Sequence, residues 1–411
     1  MKKVAIIGAG AAGLTASVIL AREGVQVELF EQNSKNAKKI LVSGNGHCNI
    51  SNKNIDVSNY ISDNPQFAEY ALKRFGFKEL EKFMNSLGLL LFCKEDGKCY
   101  PLSYEAKSVL SAFEETLANL DVKIFNGHRV ESITKDKCFT LTCNDNEKRY
   151  GGYDALIVAS GLKAAPQLGG NDDGLKFARS LGHTISEPYP SLVGLHSDSE
   201  HNGMLSGVKV RGRICVYVDR FKEKSIKGDI LFTAYGISGL AVLDISQTAS
   251  KALLNHQEVE LSLDLISEFN PQSLSAQLLQ LCKKVPQHSV LSLLSGIIPS
   301  KLAAVVLKEM KIQESMQALH LNTKMIKGIM NKLQNYRLRI IDTHGYKHAE
   351  VCGGGVNTNE IDAKSFESKK VKDLYFIGEV LDVTGERGGY NFQFAFASAH
   401  QCAKAVLNGF S

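Results

Sequence analysis

The first residues that could do chemistry are three glycines near the start of the chain, Gly8, Gly10 and Gly13, in the pattern G-x-G-x-x-G. A predicted strand precedes them and a predicted helix follows, which is the context that makes this pattern specific. Gly8 would permit a tight turn, Gly10 would let a pyrophosphate approach the backbone, and Gly13 would let helix and strand pack closely. Ala11 and Ala12 open the helix, whose first amides favour an anion. The spacing predicts a dinucleotide-binding loop.

An acidic residue, Glu31, stands at the end of the second predicted strand. A carboxylate about 20 residues after the glycine motif can accept hydrogen bonds from both hydroxyls of an adenosine ribose. Gln32, directly after it, is the next candidate for this end of the site. These residues do not separate FAD from NAD, because both cofactors share the adenosine diphosphate half.

A second glycine-containing loop spans residues 38–49 and favours FAD. Closely spaced glycines with Ser, Asn and Lys make a loop whose backbone can approach a flat ring or a second phosphate. A purely structural loop is the alternative. The candidate cofactor-binding residues of this loop are Lys38, Lys39, Ser43, Gly44, Asn45, Gly46, Cys48 and Asn49.

Alternating strands and helices must position these two loops. In the first half of the chain the apolar pattern predicts strands at 3–7, 25–30, 122–125, 129–134, 139–142 and 155–159, and helices at 11–23, 66–87 and 104–120. The first two strands should be parallel, because a helix connects them. This half of the chain is therefore predicted to be α/β.

The second half changes character near Pro188 and Pro190. Residues 207–218 and 229–232 predict antiparallel strands without long helices between them, and helical patterns follow at 273–284, 290–294, 300–308 and 323–333. Strands are predicted again at 337–343 and 374–377. We therefore predict a discontinuous FAD-binding domain at 1–188 and 350–411, a β-rich substrate-side domain at 189–265 and 336–349, and a helical insert at 266–335.

Four stretches of the sequence carry a resemblance to a known family: KILVSGNGHCN at 39–49, GLKAAPQLG at 161–169, the segment 231–239 with LFT and GISG, and the segment 378–391 with GEVLD and GGYN. The chain resembles the bacterial BaiN/YhiN-like FAD-dependent oxidoreductases, often labelled aminoacetone-oxidase-like, within the glutathione-reductase-type flavoproteins. The likeness covers nearly the whole chain. The family usually has Arg where this chain has His47.

The resemblance implies an α/β fold with a Rossmann-like FAD-binding domain formed by both chain ends, and with inserted β-rich and helical domains. It implies FAD as the cofactor, and hydride would then pass to or from flavin N5. The sequence has no second G-x-G-x-x-G, so a dedicated nicotinamide domain is not expected and NAD(P)H is considered only as a transient electron donor over the flavin. It adds cofactor-binding residues beyond the two loops, namely Val130, Ala159, Ser160, Gly161, Gly378, Glu379, Gly388, Gly389, Tyr390 and Asn391.

Cysteine and histidine spacing gives little support for redox-disulfide or metal chemistry. Cys48 has no partner two residues away, and pairing of Cys93 with Cys99 is not expected in a cytosolic protein. His344 and His348 have helical metal-ligand spacing, but strand-like flanks argue against a metal site. Tyr235 and Tyr390 could each be either a proton donor or a packing aromatic residue. The sequence assigns no catalytic residue.

Composition and charge exclude several classes of function. A net charge of +5 over 411 residues does not indicate a membrane or nucleic-acid surface, and no apolar run is long enough to cross a bilayer. We expect a cytoplasmic oxidoreductase that acts on a small or medium organic substrate. The alternatives are a flavin-dependent RNA-modifying or nucleic-acid-associated protein, and a flavin-binding protein without turnover.

Overall fold

The computed structural model describes residues 2–144 and 148–410, and the chain divides into two compact units. The first unit comprises Met1–Tyr189 and Val351–Ser411, and the second comprises Pro190–Glu350. The first unit thus joins the two ends of the chain. The second groups the segments that the sequence analysis had divided into a β-rich domain and a helical insert.

A five-stranded parallel sheet forms the centre of the first unit. Its strands are, in spatial order, Leu374–Phe376, Ala155–Val158, Lys3–Ile7, Gln26–Glu31 and Lys123–Asn126. Apolar runs such as Ala155–Val158, with every residue buried, are typical of parallel strands covered on both faces. The strand Leu374–Phe376, near the end of the chain, therefore extends a sheet begun by the first strand, as expected from the sequence.

Helices cover this sheet, and the first and last of them, Ala11–Arg22 and Tyr390–Phe410, pack against each other. The other α-helices of the unit are Lys38–Val42, Glu69–Arg74, Phe77–Asn85, Ala106–Asn119 and Asp173–Ser180. The prediction of a single helix at 66–87 is wrong. Two helices lie there, because Gly76 is extended and begins the second one as its N-cap.

Smaller sheets complete the first unit. Strands Val130–Lys135, Phe139–Cys143 and Lys148–Tyr153 form one, and Ser51–Asn52, Lys98–Pro101 and Leu91–Cys93 form another. Tyr60–Ile61 pairs with Thr384–Gly385, and Ile185–Ser191 pairs with Val351–Val356. Short 3₁₀ turns occur at Ser43–Gly46, Val57–Asn59, Pro166–Leu168, Thr358–Glu360 and Gly378–Val380.

The second unit contains a closed six-stranded antiparallel barrel. The strands follow one another around it in the order Leu195–Ser197, Gly236–Ser238, Phe221–Thr233, Lys209–Val218, Val259–Asp264 and Tyr336–Thr343. Its helices are Asn202–Leu205, Leu240–Leu254, Pro271–Lys284, Val290–Ser295, Ser300–Glu309 and Thr323–Gln334, with a 3₁₀ turn at Ala318–His320. One continuous apolar core runs from the barrel into these helices, so the helical segments share a core with the strands.

One helix was missed from the sequence, and one expectation about the cysteines is wrong. The fifteen-residue helix Leu240–Leu254 lies where no long helix was predicted. Cys93 and Cys99, expected to stay unpaired, form a disulfide, because the hairpin places them opposite each other with 4.0 Å between their Cα atoms. The pairing register of the hairpin, which spacing alone did not reveal, decides this contact.

Candidate functional site

Steric contacts require glycine in the turn after the first strand. Gly8 has a φ of +103°, and a Cβ there would lie 2.5 Å from the carbonyl oxygen of Ala159. A Cβ on Gly13 would lie 1.9 Å from the carbonyl oxygen of Gly8. Both positions therefore require glycine for the fold itself, independently of any ligand.

Gly10 differs from these two glycines because the space beside it is open. Within the described residues, no heavy atom outside its neighbours lies within 4 Å of a Cβ built there. Gly10 is also the N-cap of the helix Ala11–Arg22, and its end has no side-chain cap. A helix N-terminus without a side-chain cap, with open space beside its N-cap glycine, fits a pyrophosphate.

Glu31 is held in place by the glycine loop and by its own neighbour. Its Oε2 accepts a hydrogen bond from the Ala9 amide at 3.0 Å, and its Oε1 accepts two from Asn33, at 2.8 Å from the backbone and 2.7 Å from the side chain. A carboxylate offers about four lone-pair sites, so one remains for a ribose hydroxyl. Asn33, which also accepts from Lys38 Nζ at 2.8 Å, was not identified from the sequence.

Gln32, the neighbour of Glu31, is engaged by the protein. Its side-chain amide donates to the carbonyl oxygen of Gly169, which lies within a stretch that carried the family resemblance. This contact ties the end of the second strand to the segment 161–169. Through its hydrogen bond to Gly169, Gln32 therefore helps to shape the candidate site.

The prediction of a loop over 38–49 is wrong at its start, where the short helix Lys38–Val42 lies, and the turn that follows this helix folds back on itself. Gly44, Asn45, Gly46 and Cys48 all have positive φ, and the Cys48 amide donates to the carbonyl of Ser43 at 2.9 Å. Successive backbone groups in such conformations form concave surfaces that bind anions and polar ring edges. The contact of this loop with a flavin stays a prediction.

Asn49, at the end of this loop, provides the test of whether a flavin fits. Its side-chain Oδ1 is buried and has no hydrogen-bond partner among the described residues. An unpartnered buried acceptor costs about 1–3 kcal/mol, so such atoms commonly await a ligand or water. With the open N-terminus at Gly10, this orphaned acceptor fits a dinucleotide that ends in a hydrogen-bonding ring.

Cys48 does not offer a reactive thiolate. The side chain is 1% exposed, and burial raises the pKa of the thiol to about 12. A thiol that stays protonated at neutral pH is a poor nucleophile. This supports the sequence interpretation of Cys48 as a packed residue.

Lys39 and Glu379 meet, although Lys39 lies in the helix Lys38–Val42 and Glu379 follows the strand Leu374–Phe376. Lys39 Nζ lies 2.7 Å from Glu379 Oε2, while Glu379 Oε1 accepts from the Cys352 amide at 3.1 Å. A Cβ on Gly161 would come within 3.3 Å of the same carboxylate. The pair places a cation beside the segment expected to face the phosphates and ribityl chain.

The last glycine turn packs on the strand Ser51–Asn52. A Cβ on Gly389 would lie 2.4 Å from the Ser51 carbonyl oxygen, and the Asn52 side chain donates to the Gly388 carbonyl at 3.1 Å. The long C-terminal helix begins at Tyr390, whose pKa is raised by burial. Asn391 accepts from the Gly385 amide at 2.8 Å and so closes the turn through its side chain.

The remaining candidate cofactor-binding residues contribute backbone groups to the candidate site. Val130 is buried and paired with Cys143 in a sheet, and the Ala159 amide donates to Ile7 at 2.8 Å. The Gly378 amide donates a hydrogen bond to the hydroxyl of Ser398 at 3.0 Å. Ser160 lies between Ala159 and the Gly161–Glu379 contact. Contacts of these residues with a cofactor remain proposals.

The second unit holds a cluster of four rings. Three of them, Tyr235, His344 and His348, were singled out from the sequence. The rings of Tyr235, His344 and His348 stack at 3.8 and 4.0 Å, and His196 Nε2 lies 2.8 Å from His344 Nδ1. Burial and the neighbouring imidazoles lower the pKa of His344. Within residues 2–144 and 148–410, no group of histidine, cysteine and acidic side chains has the geometry to hold a metal ion.

The parallel sheet, its glycine turn and its open helix N-terminus define a Rossmann-type dinucleotide-binding domain. The profile described as "HI0933-like protein Rossmann domain" matches residues 2–405. The chain belongs to this family.

Three curated relatives match over almost their whole length. The chain is 35% identical to the 3-dehydro-bile acid delta(4,6)-reductase of Clostridium scindens over 409 residues, covering 99% of both chains. It is 32% and 31% identical to the ribosomal RNA dihydrouridine synthases of Haemophilus influenzae and Escherichia coli, covering 98% of this chain and 97% of each relative.

Solved structures give a more distant likeness. A flavocytochrome c3 fumarate reductase matches 99% of this chain and 79% of its own, at 14% identity and a TM-score of 0.45. A 3-ketosteroid delta1-dehydrogenase from Sterolibacterium denitrificans matches 98% of this chain and all of its own, at 11% identity and a TM-score of 0.47. Within the described chain, none of the helices combines the length and apolar character that crossing a membrane requires.

Proposed function

We propose that this protein is an FAD-dependent reductase that saturates a carbon–carbon double bond conjugated with a carbonyl group in a small or medium organic substrate, with a steroid-like ring system as the leading candidate. The single observation that carries the proposal is the full-length similarity to a bile acid delta(4,6)-reductase, at 35% identity. The orphaned acceptor of Asn49 beside the second loop supports a bound flavin.

The names of the curated relatives share one kind of chemistry. A 3-oxo steroid with a 4,6-diene has double bonds conjugated with its ketone, and the 5,6 double bond of uridine is conjugated with its 4-carbonyl. Both reactions add a hydride and a proton across such a bond. This shared chemistry supports the reaction type more strongly than it supports either substrate.

The residues of this chain have separable tasks in such a reaction. The open helix N-terminus at Gly10 and the Lys39 ammonium would hold the phosphates of FAD, and Glu31 would accept from the ribose. Asn49 would accept a hydrogen bond from the ring. When bound, FAD supplies the hydride, and these residues fix its position and exclude water from it.

NAD(P)H is the proposed electron donor. The sequence has no second G-x-G-x-x-G segment, so we propose that the nicotinamide binds transiently at the flavin site. An organic reductant or an electron-carrying protein would replace it if neither NADH nor NADPH reacts.

The experiment begins with the visible spectrum of the purified protein and an anaerobic titration with NADH and then NADPH. Bands near those of free FAD that bleach on titration would support the donor. The reduced protein is then mixed with a 3-oxo-4,6-diene steroid, and reoxidation with loss of the dienone absorbance would support the substrate class. A protein purified without flavin, and unable to take it up, would contradict the proposal.

A second candidate substrate is a uridine in ribosomal RNA, because two relatives carry that name. Ion pairs in the structure partly neutralise the basic residues that an RNA substrate would require. Lys332, Arg337 and Arg339 form ion pairs with Glu309, Glu260 and Asp198 at 2.5, 2.5 and 3.6 Å. Filter binding of ribosomal RNA across a salt series, with dihydrouridine analysis of the product, separates the two substrates.

A further inference from the structure

His47, the residue that follows the turn Ser43–Gly46, has an oriented side chain. Its Nδ1 lies 2.9 Å from the carbonyl oxygen of Tyr104, and its ring stacks on the Tyr104 ring with centroids 4.0 Å apart and an interplanar angle of 19°. The ring is half-buried. Two independent contacts with one residue thus fix both its position and its rotation.

The hydrogen bond determines which nitrogen carries the proton. A carbonyl oxygen only accepts, so His47 Nδ1 must be protonated in the neutral ring. Nε2 then carries the proton that the imidazolium can release. Within the described chain, Nε2 has no hydrogen-bond or ion-pair partner, so this nitrogen is available to a ligand.

Tyr104 is built to hold the histidine. It has a φ of +58°, a left-handed conformation that is uncommon for a large aromatic residue and is often found at functional sites. Its hydroxyl accepts a hydrogen bond from Lys94 Nζ at 2.7 Å. Lys94 follows Cys93, whose disulfide with Cys99 closes the hairpin that carries it.

The same cluster touches the candidate flavin loop. The Tyr100 ring lies 5.1 Å from the Tyr104 ring, and one of its atoms is 3.8 Å from a Cβ built on Gly44. The charged and titratable groups around His47 are therefore Tyr104 in contact with it, Lys94 on the Tyr104 hydroxyl, and Tyr100 behind them. Arg387 acts electrostatically on Tyr100.

We propose that His47 is the proton donor of the reduction, an assignment that rests on the proposed function. Saturation of a conjugated double bond needs a hydride at the β carbon, which the reduced flavin supplies, and a proton at the α carbon. The proton leaves Nε2 of the His47 imidazolium and forms the new C–H bond with the electron pair of the former double bond. The ring becomes neutral, keeps its Nδ1 proton on the Tyr104 carbonyl, and regains a proton at Nε2 from water.

The first test reads the tautomer and needs neither flavin nor substrate. Nitrogen-15 NMR of the apoprotein at pH 8.5, with His47 assigned by its loss in His47→Gln, should show a protonated Nδ1 and an unprotonated Nε2. Tyr104→Phe keeps the carbonyl and the stacked ring, so it should keep this pattern. A neutral His47 protonated on Nε2 would overturn the proposal.

The second test separates the two half-reactions in holoenzyme loaded with FAD. His47→Gln should retain FAD and be reduced by the donor within about twofold of the wild-type rate, while reoxidation by the dienone steroid slows about 100-fold. His288→Gln, an exposed histidine of the second unit, should match the wild type in every measurement. Equal slowing of both half-reactions, or wild-type reoxidation in His47→Gln, would overturn the assignment.

The outcomes also separate His47 from the proposed function. A wild-type protein that does not reduce the dienone contradicts the proposed substrate, and His47 is then judged by the NMR test together with whichever oxidant reoxidises the flavin. A wild-type protein that reduces the dienone, with a His47→Gln variant that does so equally fast, contradicts only the role of His47.

Discussion

Lys39 and Glu379, 340 positions apart in the chain, form an ion pair with 2.7 Å between Nζ and Oε2. The pair joins the candidate flavin loop to the end of the last strand of the sheet. Its side chains are 29% and 20% exposed, so water screens it only in part. The contact therefore links two sequence segments that both belong to the candidate cofactor site.

This ion pair should contribute about 1 kcal/mol to the free energy of unfolding of the apoprotein. We expect Lys39→Met to lower that free energy by this amount and also to weaken FAD binding, because the cation beside the phosphates is lost. Urea denaturation and FAD titration measure the two effects. Lys73→Met, which removes an exposed pair with Glu69, is the matched control and should change neither by more than about 0.5 kcal/mol.

Gly10 and Gly13 should separate cofactor binding from folding. Gly10→Ala places its Cβ in open space, so the apoprotein should keep its melting temperature and lose FAD affinity. Gly13→Val places its Cβ against the Gly8 carbonyl, so both the melting temperature and FAD binding should fall. Flavin absorbance after gel filtration and thermal unfolding measure these effects. Normal flavin content in Gly10→Ala would contradict the pyrophosphate site.

Cys48→Ser should leave flavin binding and turnover largely intact. Burial raises the pKa of this thiol to about 12, so it remains protonated and unreactive at neutral pH. Iodoacetamide at pH 8 should accordingly label Cys48 only after unfolding, as mass spectrometry of its peptide would show. A variant that binds FAD but has no redox activity would show that the thiol takes part in the chemistry.

His400 should make the first unit sensitive to acid. Burial in the C-terminal helix lowers its pKa to about 4, and its ring lies 4.4 Å from that of Phe75. Because the folded-state pKa lies below the unfolded value of about 6.5, its stabilising contribution is full above pH 6.5 and is lost as the pH falls towards 4. The loss should reach about 3 kcal/mol at most.

The matched variant for this prediction is His400→Phe, which keeps an aromatic ring beside Phe75 and cannot be protonated. Urea denaturation at pH 7 and pH 4.5 should show a smaller loss of stability for this variant than for the wild type. His288→Gln should follow the wild type at both values. An identical pH dependence in His400→Phe would show that other groups cause the acid sensitivity.

Local signals were enough to predict much of the first unit. The strand Lys3–Ile7 and the helix Ala11–Arg22 lie within one residue of the predicted bounds, because an apolar run, a glycine turn and an alanine-rich helix each leave a contiguous pattern. The return of the chain to the same sheet at Leu374–Phe376 was expected from another apolar run. The helix Leu240–Leu254 was missed, and its burial depends on contacts with the barrel strands.

The sequence by itself determined the glycine turn and the parallel pairing of Lys3–Ile7 with Gln26–Glu31, because their constraints act between residues close in the chain. Only the tertiary structure decided that Cys93 faces Cys99, that Lys39 meets Glu379, and that the Tyr104 carbonyl orients His47. These contacts depend on strand register and on loops brought together from distant segments. Residue types and spacings do not encode such distances locally, so they become visible only once the chain is folded.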